Sequence, residues 1–295
     1  VVSKVEPTKT QVDAASRSQN FLRNLLHDSR LPVLDSYLSG SYARDTALRP
    51  IDDVDIVFLI DPSYWLKNSL LSFGKPDPNV VLDSFARAIR YRYDSSSVYV
   101  QRRSVNLNMD KLDIDVVPAI SAGSNTTAIY VADRTDGGWT LSNPKEHTRK
   151  ASEVNGRRDG LFKPLVKIVK LWNAGLPSTA QVKSFLVETI AVHLFSKYSF
   201  SSLSQGLIYF WDHLAFASGE CSHFTWASAG ISLSWWNRAV PDTAATGGNV
   251  AAKLDSERCQ KLVKCAIQAR DSVLLAEKAR SEERAIELLR KALRV

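Results

Sequence analysis

Asp53-Val54-Asp55-Ile56-Val57-Phe58-Leu59-Ile60 alternates two acids with apolar residues and then runs on as an apolar stretch. Successive side chains of a strand point to opposite faces, so the pattern predicts a β-strand with Asp53 and Asp55 on one face and Asp52 on the other. Two carboxylates on one face at the start of an apolar strand are hard oxygen donors, suited to a divalent cation such as magnesium or manganese. The pattern returns in Leu112-Asp113-Ile114-Asp115-Val116-Val117-Pro118, where Asp113 and Asp115 share a face. If the two strands are neighbours, one of these acids completes a three-carboxylate site. Clustered carboxylates repel one another unless cations neutralise them, so the cluster is costly as mere structure. For either pair alone the plainer reading is an acid at a strand edge facing water.

Upstream, Gly40-Ser41 follows the apolar-polar run Val33 to Leu38. A glycine there lets the backbone approach a bound group, and the serine hydroxyl and neighbouring amides can donate to phosphate oxygens. Gly-Ser alone carries no signal; twelve residues before Asp53 it becomes part of a pattern.

Working outward, residues Thr8 to Asp28 carry Val12, Ala15, Phe21, Leu22, Leu25 and Leu26 at near-helical spacing, which predicts a long opening helix ending before Pro32. Short β-rich runs follow at Asp53 to Ile60, Val98 to Val105 and Lys111 to Val117, with one helix near Val80 to Tyr93. Ser121 to Asn143, rich in Gly, Ser, Thr and Asp, reads as a loop. Beyond it the chain reads as helical: Gly160 to Asn173, Ser178 to Ser196, Leu203 to Ser218, and Leu254 to Arg294. The expected class is therefore α+β, with a mixed α/β domain over residues 1–144 and a helical one over 145–295.

The 295 residues are 44% hydrophobic and 23% charged, an ordinary globular composition that needs no disulfide or metal to fold. The apolar runs are far shorter than the ~20 residues of a membrane span. Cys221, Cys259 and Cys265 are an odd, widely spaced set, which argues against a disulfide framework and a Cys-x-x-Cys zinc site. A soluble, cytoplasmic protein is expected. The net charge of +7 is uneven: Lys145 to Lys170 holds eight Lys or Arg against three acids. Such a stretch either attracts a phosphate-bearing partner or is a solvated helix face.

The stretches Gly40-Ser41-Tyr42-Ala43-Arg44-Asp45-Thr46, Asp53-Val54-Asp55 and Ile114-Asp115-Val116-Val117-Pro118-Ala119 together resemble the polymerase-beta-like nucleotidyltransferases. Within them the chain looks most like the branch of oligoadenylate synthetase, cyclic GMP-AMP synthase and their bacterial relatives in anti-phage signalling. Lys167-Ile168-Val169-Lys170-Leu171-Trp172, Lys183-Ser184-Phe185-Leu186-Val187-Glu188, and Pro241-Asp242 leading to Gly248-Asn249-Val250 extend the likeness over nearly the whole chain.

The resemblance implies two lobes with an active-site cleft between them. It assigns Asp53, Asp55 and Asp115 as ligands of two magnesium ions, with Asp113 outside that set. Ser41, preceded by Gly40, would contact the triphosphate, and Lys170 and Ser184 would hold the phosphate tail. For Lys170 the alternative is a snorkelling surface lysine; for Ser184, simply a good helix-opening residue. Asn155 is a candidate for base choice, since its amide both donates and accepts, or else a turn residue beside Gly156.

The implied reaction joins ribonucleoside triphosphates, as donor and acceptor, into a cyclic di- or trinucleotide. A linear oligonucleotide synthetase and an inactive nucleotide-binding scaffold are the alternatives. A regulatory protein is a possible partner, and no membrane is expected. The clustered His and Cys of the animal enzyme's DNA-gripping zinc insertion have no counterpart here, and His213, Cys221 and His223 do not supply one. Direct DNA activation is therefore not expected.

Overall fold

The computed structural model describes residues 8–51, 53–66, 74–94, 97–109, 112–135, 138–219, 230–234 and 237–294. Asp52, Cys221 and His223 lie outside the described residues. The chain divides into two compact units, residues 7–148 and a second that includes 149–295.

The first unit opens with helix α1 (Lys9–Asp28), followed by β1 (Val33–Leu38), the one-turn helix α2 (Gly40–Ala43) and β2 (Asp53–Ile60). The short helix α3 (Ser63–Leu66) and helix α4 (Pro78–Arg90) come next. Asp77 caps α4 by accepting from the Asn79 N–H, and Pro78 takes the first turn, where a missing N–H costs nothing. Then come β3 (Val98–Val100), β4 (Val105–Met109), β5 (Leu112–Ser121), β6 (Ile129–Asp133) and β7 (Gly138–Ser142).

These strands form one mixed sheet in the order β1-β2-β5-β4-β3, with β6 on the far half of β5 and β7 beyond it. The parallel β2–β5 pair at its centre is built from the two acid-bearing stretches. The inward set on one face comprises Val54, Ile56, Phe58, Leu107, Ile114 and Val116. It packs against Leu22 and Leu26 of α1 and Val81, Leu82, Phe85 and Ile89 of α4, all fully buried. Removing this much apolar surface from water stabilises the unit, at about 1.5–3 kcal/mol per fully buried large side chain.

The α+β class agrees with the sequence reading, as does β2 residue for residue; other stretches differ. The run Val98 to Val105 is broken at residues 101–104, where the Gln101 N–H donates to the Ser104 carbonyl at 2.9 Å, so it forms the bend of the β3–β4 hairpin. The expected loop Ser121 to Asn143 contains β6 and β7. β5 runs on to Ser121, four residues past the predicted Val117, and offers an edge that β6 pairs from Ala119 to Ser121. The helix α5 (Pro144–Gly156) was not expected. It buries only Ala151 and Val154, too little for a periodic signal.

The division between the units falls within α5. The second unit continues with α6 (Phe162–Ala174), α7 (Ser184–Lys197), α8 (Leu203–Ser218), the two-stranded pair β8 (Ser232–Leu233) and β9 (Arg238–Ala239), α9 (Ser256–Glu277) and α10 (Glu282–Leu293). Its core gathers Phe162, Leu165, Trp172, Phe195, Phe210 and Trp211. The expected single C-terminal helix is two: Ser281 caps a new one by accepting from the Arg284 N–H, which interrupts the ladder after Glu277. α7 begins at Ser184 and not Ser178: residues 178–180 form a turn whose Ala180 and Gln181 N–H groups donate to the Pro177 carbonyl, and Asn173 then takes the backbone of Val182 through two hydrogen bonds. No described helix is long and apolar enough to cross a membrane.

Candidate active site

At the end of β1 the chain turns through Ser39, whose N–H donates to the Asp55 carbonyl at 2.8 Å, and so fastens the turn to β2. Gly40 follows with φ +67°, a conformation that favours glycine. A Cβ built there would lie 1.7 Å from Asp55 Oδ2. The glycine is therefore required twice, by backbone angle and by the carboxylate lying against it. Ser41 is half-buried beside it, and its carbonyl accepts from the Thr46 N–H at 2.9 Å, which closes the loop.

The parallel register of β2 and β5 pairs Asp53 with Asp113 and Asp55 with Asp115. Since the pleat alternates, all four acids share the face opposite Val54, Ile56, Ile114 and Val116. Asp53 is exposed, and Asp55 and Asp115 are half-buried. Burial, reinforced by repulsion from Asp53 and Asp115, pushes the Asp55 carboxyl up to about 6, with the nearby Arg44 guanidinium opposing. Arg44 is itself only 7% exposed.

Asp115 has a neighbour on its other side. The antiparallel β4–β5 pair sets Asn106 opposite it, and Asn106 Nδ2 donates to Asp115 Oδ1 at 3.0 Å. Among the described residues no three His, Cys, Asp or Glu side chains converge into a closed metal cage. Asp53, Asp55 and Asp115 are neighbours on one face of the sheet, and Asp115 accepts from the Asn106 amide. The set still fits a hard cation, because Asp55 holds an unfavourable charge that a divalent ion would relieve.

The second unit holds the other predicted residues. Lys170 is on α6 and is 3% exposed, which removes the alternative of a surface lysine. Its Nζ lies 2.8 Å from Glu188 Oε2 on α7, and Glu188 is 2% exposed. Ser184 is the first residue of α7 and is exposed. Asn155 lies in the last turn of α5, not in a turn ahead of α6, and its Oδ1 accepts from the Lys163 N–H at 3.0 Å, which supports the entry into α6.

The basic stretch divides into local tasks. Arg149 and Arg157 both pair with Glu153, Arg158 donates to the Phe195 carbonyl, and Lys167 is buried beside Lys170 in sequence. It is neither a continuous cationic face nor simply a solvated one.

Over residues 1–155 the chain matches the Second Messenger Oligonucleotide or Dinucleotide Synthetase domain, SMODS. It belongs to this family. As a SMODS protein it is 35% identical over 207 residues to a cyclic AMP-AMP-AMP synthase of Acinetobacter sp.. That match takes in 66% of this chain and 57% of the relative, so the chain spans little more than half the length of that curated relative. Its fold is that of E. coli MS115-1 CdnC solved with ATP, with a TM-score of 0.76 at 22% identity over 99% of this chain and 94% of that one. CdnC in complex with HORMA-deltaN gives 0.76 at 20% identity, over 99% and 93%. The fold is thus the polymerase-beta-like nucleotidyltransferase fold of the CD-NTases.

Three side chains at these positions were not assigned from sequence: Arg44, Asn106 and Glu188. Arg44 stood inside the quoted Gly40 stretch, and Glu188 closed the Ser184 stretch. Asn106 had a signal too faint to use, a polar residue alternating with Val105 and Leu107 on a strand whose partner was unknown.

Proposed function

We propose that this chain is a nucleotidyltransferase that joins ribonucleoside triphosphates, with release of pyrophosphate, into a cyclic di- or trinucleotide second messenger. The observation that carries the reading is the juxtaposition of Asp55 and Asp115 on neighbouring parallel strands, with Gly40 pressed against the Asp55 carboxylate. Asp53, Asp55 and Asp115 would hold two magnesium ions, with manganese as a substitute. When bound, these ions lower the pKa of the acceptor hydroxyl and neutralise charge on the departing pyrophosphate.

The chain's own residues position the reaction. Gly40 lets the Asp55 carboxylate lie against the backbone of the turn, and the Ser41 hydroxyl beside it donates to a phosphate oxygen. Lys170 and Ser184 supply a cation and a helix-opening hydroxyl for the phosphate tail. The acceptor oxygen forms a bond to the donor's α-phosphorus, and the bond from that phosphorus to the β-phosphate oxygen breaks. The hydroxyl proton passes to Asp115 or to water, and pyrophosphate leaves. A second transfer by the same site would close the ring.

The Acinetobacter relative supports adenine nucleotides and a three-membered ring as the first products to test. The CdnC:HORMA-deltaN complex supports a regulatory protein partner for this chain. A place in bacterial anti-phage signalling, in the cytoplasm, follows from the resemblance. The test is pyrophosphate release from each of the four ribonucleoside triphosphates and from their mixture, with magnesium or manganese. Release that disappears in Asp53→Asn supports the reading; no release under any condition favours an inactive scaffold.

A further inference from the structure

The proposed site uses Asp115, yet the structure gives one of its two oxygens a dedicated donor. Asp115 stands in the centre of the sheet, with Asp55 beside it on β2 and Asn106 beside it on β4. Asn106 is 8% exposed, and its Nδ2 reaches Asp115 Oδ1 at 3.0 Å. A hydrogen bond to a carboxylate is stronger than one between neutral groups, and burial of the donor strengthens it further. The face of β4 turned toward the acids carries Asn106 and Asn108, opposite Asp115 and Asp113, while Val105 and Leu107 lie in the core on the other face; the Asn106 amide is the one seen to reach its acid.

From this we infer that Asn106 is a positioning residue that reserves Asp115 as a one-oxygen ligand and thereby sets which divalent cation the site accepts. The inference rests on the reading of Asp53, Asp55 and Asp115 as cation ligands. Magnesium demands near-ideal octahedral geometry at short distance, which one oxygen from each carboxylate suits. Calcium accepts more ligands, and commonly takes both oxygens of a carboxylate. With Oδ1 held toward β4, the Asn106 bond fixes the plane of the carboxylate, and turning both oxygens of Asp115 onto one ion works against that bond. Asn106 thus disfavours calcium more than magnesium, and holds the other oxygen on a fixed side chain for the smaller ion. Partners that orient metal ligands in this way are typically worth ~10–100-fold in metal affinity.

The test compares wild type, Asn106→Leu, which keeps the volume, and Asn106→Ser, which is small and tolerated in a strand. Each protein is held with α,β-methylene-ATP, and its thermal midpoint is followed against free magnesium or free calcium. The expected result is that the ratio of calcium to magnesium dissociation constants falls about tenfold or more in either variant. An unchanged ratio overturns the inference and leaves Asn106 as a strand-pairing residue, even if the cation-free midpoint drops. If neither cation moves the wild-type midpoint, the carboxylate reading itself fails, and the inference with it. If wild type responds and Asp53→Asn does not, that reading stands, so the two failures are told apart.

Discussion

Gly40 and Asp55 are packed so closely that a single methyl group cannot be placed between them: the added Cβ would lie 1.7 Å from Asp55 Oδ2. Gly40→Ala therefore forces either the carboxylate or the β1–α2 turn to move, and also sets a side chain at φ +67°. The strain is about 1–3 kcal/mol, within what a folded domain of this size tolerates. The expected outcome is a folded protein with a modestly lower melting midpoint and nucleotidyl transfer reduced at least ~100-fold, since a misplacement of 1 Å is worth that much. Calorimetry and pyrophosphate release check the two halves separately.

Burial first, and then repulsion from Asp53 and Asp115, raises the Asp55 carboxyl, so part of the cost of the site comes from Asp53. Asp53→Asn removes that repulsion. It is expected to raise the cation-free stability by about 0.5–1 kcal/mol while abolishing turnover, the usual trade between a strained site and its activity. Urea unfolding in EDTA measures the first effect. A destabilised variant would count against the electrostatic reading of the cluster.

Lys170 and Glu188 form a buried ion pair at 2.8 Å, and such pairs often stabilise less than an apolar replacement of both partners. Glu188→Leu alone leaves a buried cation and is expected to cost about 3–5 kcal/mol. The double variant Lys170→Met with Glu188→Leu should recover most of that stability. If Lys170 holds the phosphate tail, its KM for the triphosphate stays high despite the recovery. A stable double variant with normal KM would assign the pair to packing alone.

His213 on α8 is fully buried, and burial lowers its pKa to about 4, reinforced by His193 and Lys197 and opposed by Asp212. The ordinary imidazole value of 6.5 applies in the unfolded chain, so between these values the unfolded chain binds the proton more tightly than the folded one. Stability is complete above pH 6.5 and is lost as the pH falls toward 4, by at most about 3 kcal/mol from this residue. His213→Leu is expected to flatten the melting midpoint over this range relative to wild type. An equally steep fall in the variant would place the acid sensitivity elsewhere.

Much of this architecture is legible in the sequence where the physics is local. β2 was bounded correctly because Asp53-Val54-Asp55 alternates and the apolar run after it is long. α8, from Leu203 to Ser218, was likewise bounded as predicted, by a Ser202 cap and Gly219 in a left-handed turn. What escaped depends on pairing across the sheet or between helices. β6 has a short local signal in Ile129-Tyr130-Val131, but it sits within a stretch rich in Gly, Ser, Thr and Asp, and the edge of β5 that it pairs is not visible in the sequence. Asn106 meets Asp115 only once β4 and β5 are in register, and Glu188 meets Lys170 only when α6 packs on α7. Asn155 likewise has a partner that the sequence hides: its oxygen accepts from the Lys163 N–H, eight residues on.

On the proposed function, Asp55 and Asp115, side by side on parallel strands, serve nucleotidyl transfer that ends in a ring. Mass spectrometry of phosphatase-treated product, from a mixture of the four ribonucleoside triphosphates with magnesium, tests it most directly. The expected result is a phosphatase-resistant cyclic di- or trinucleotide made by wild type and absent from Asp115→Asn. A product that phosphatase shortens to a linear oligonucleotide, or the same ring made by Asp115→Asn, would contradict it.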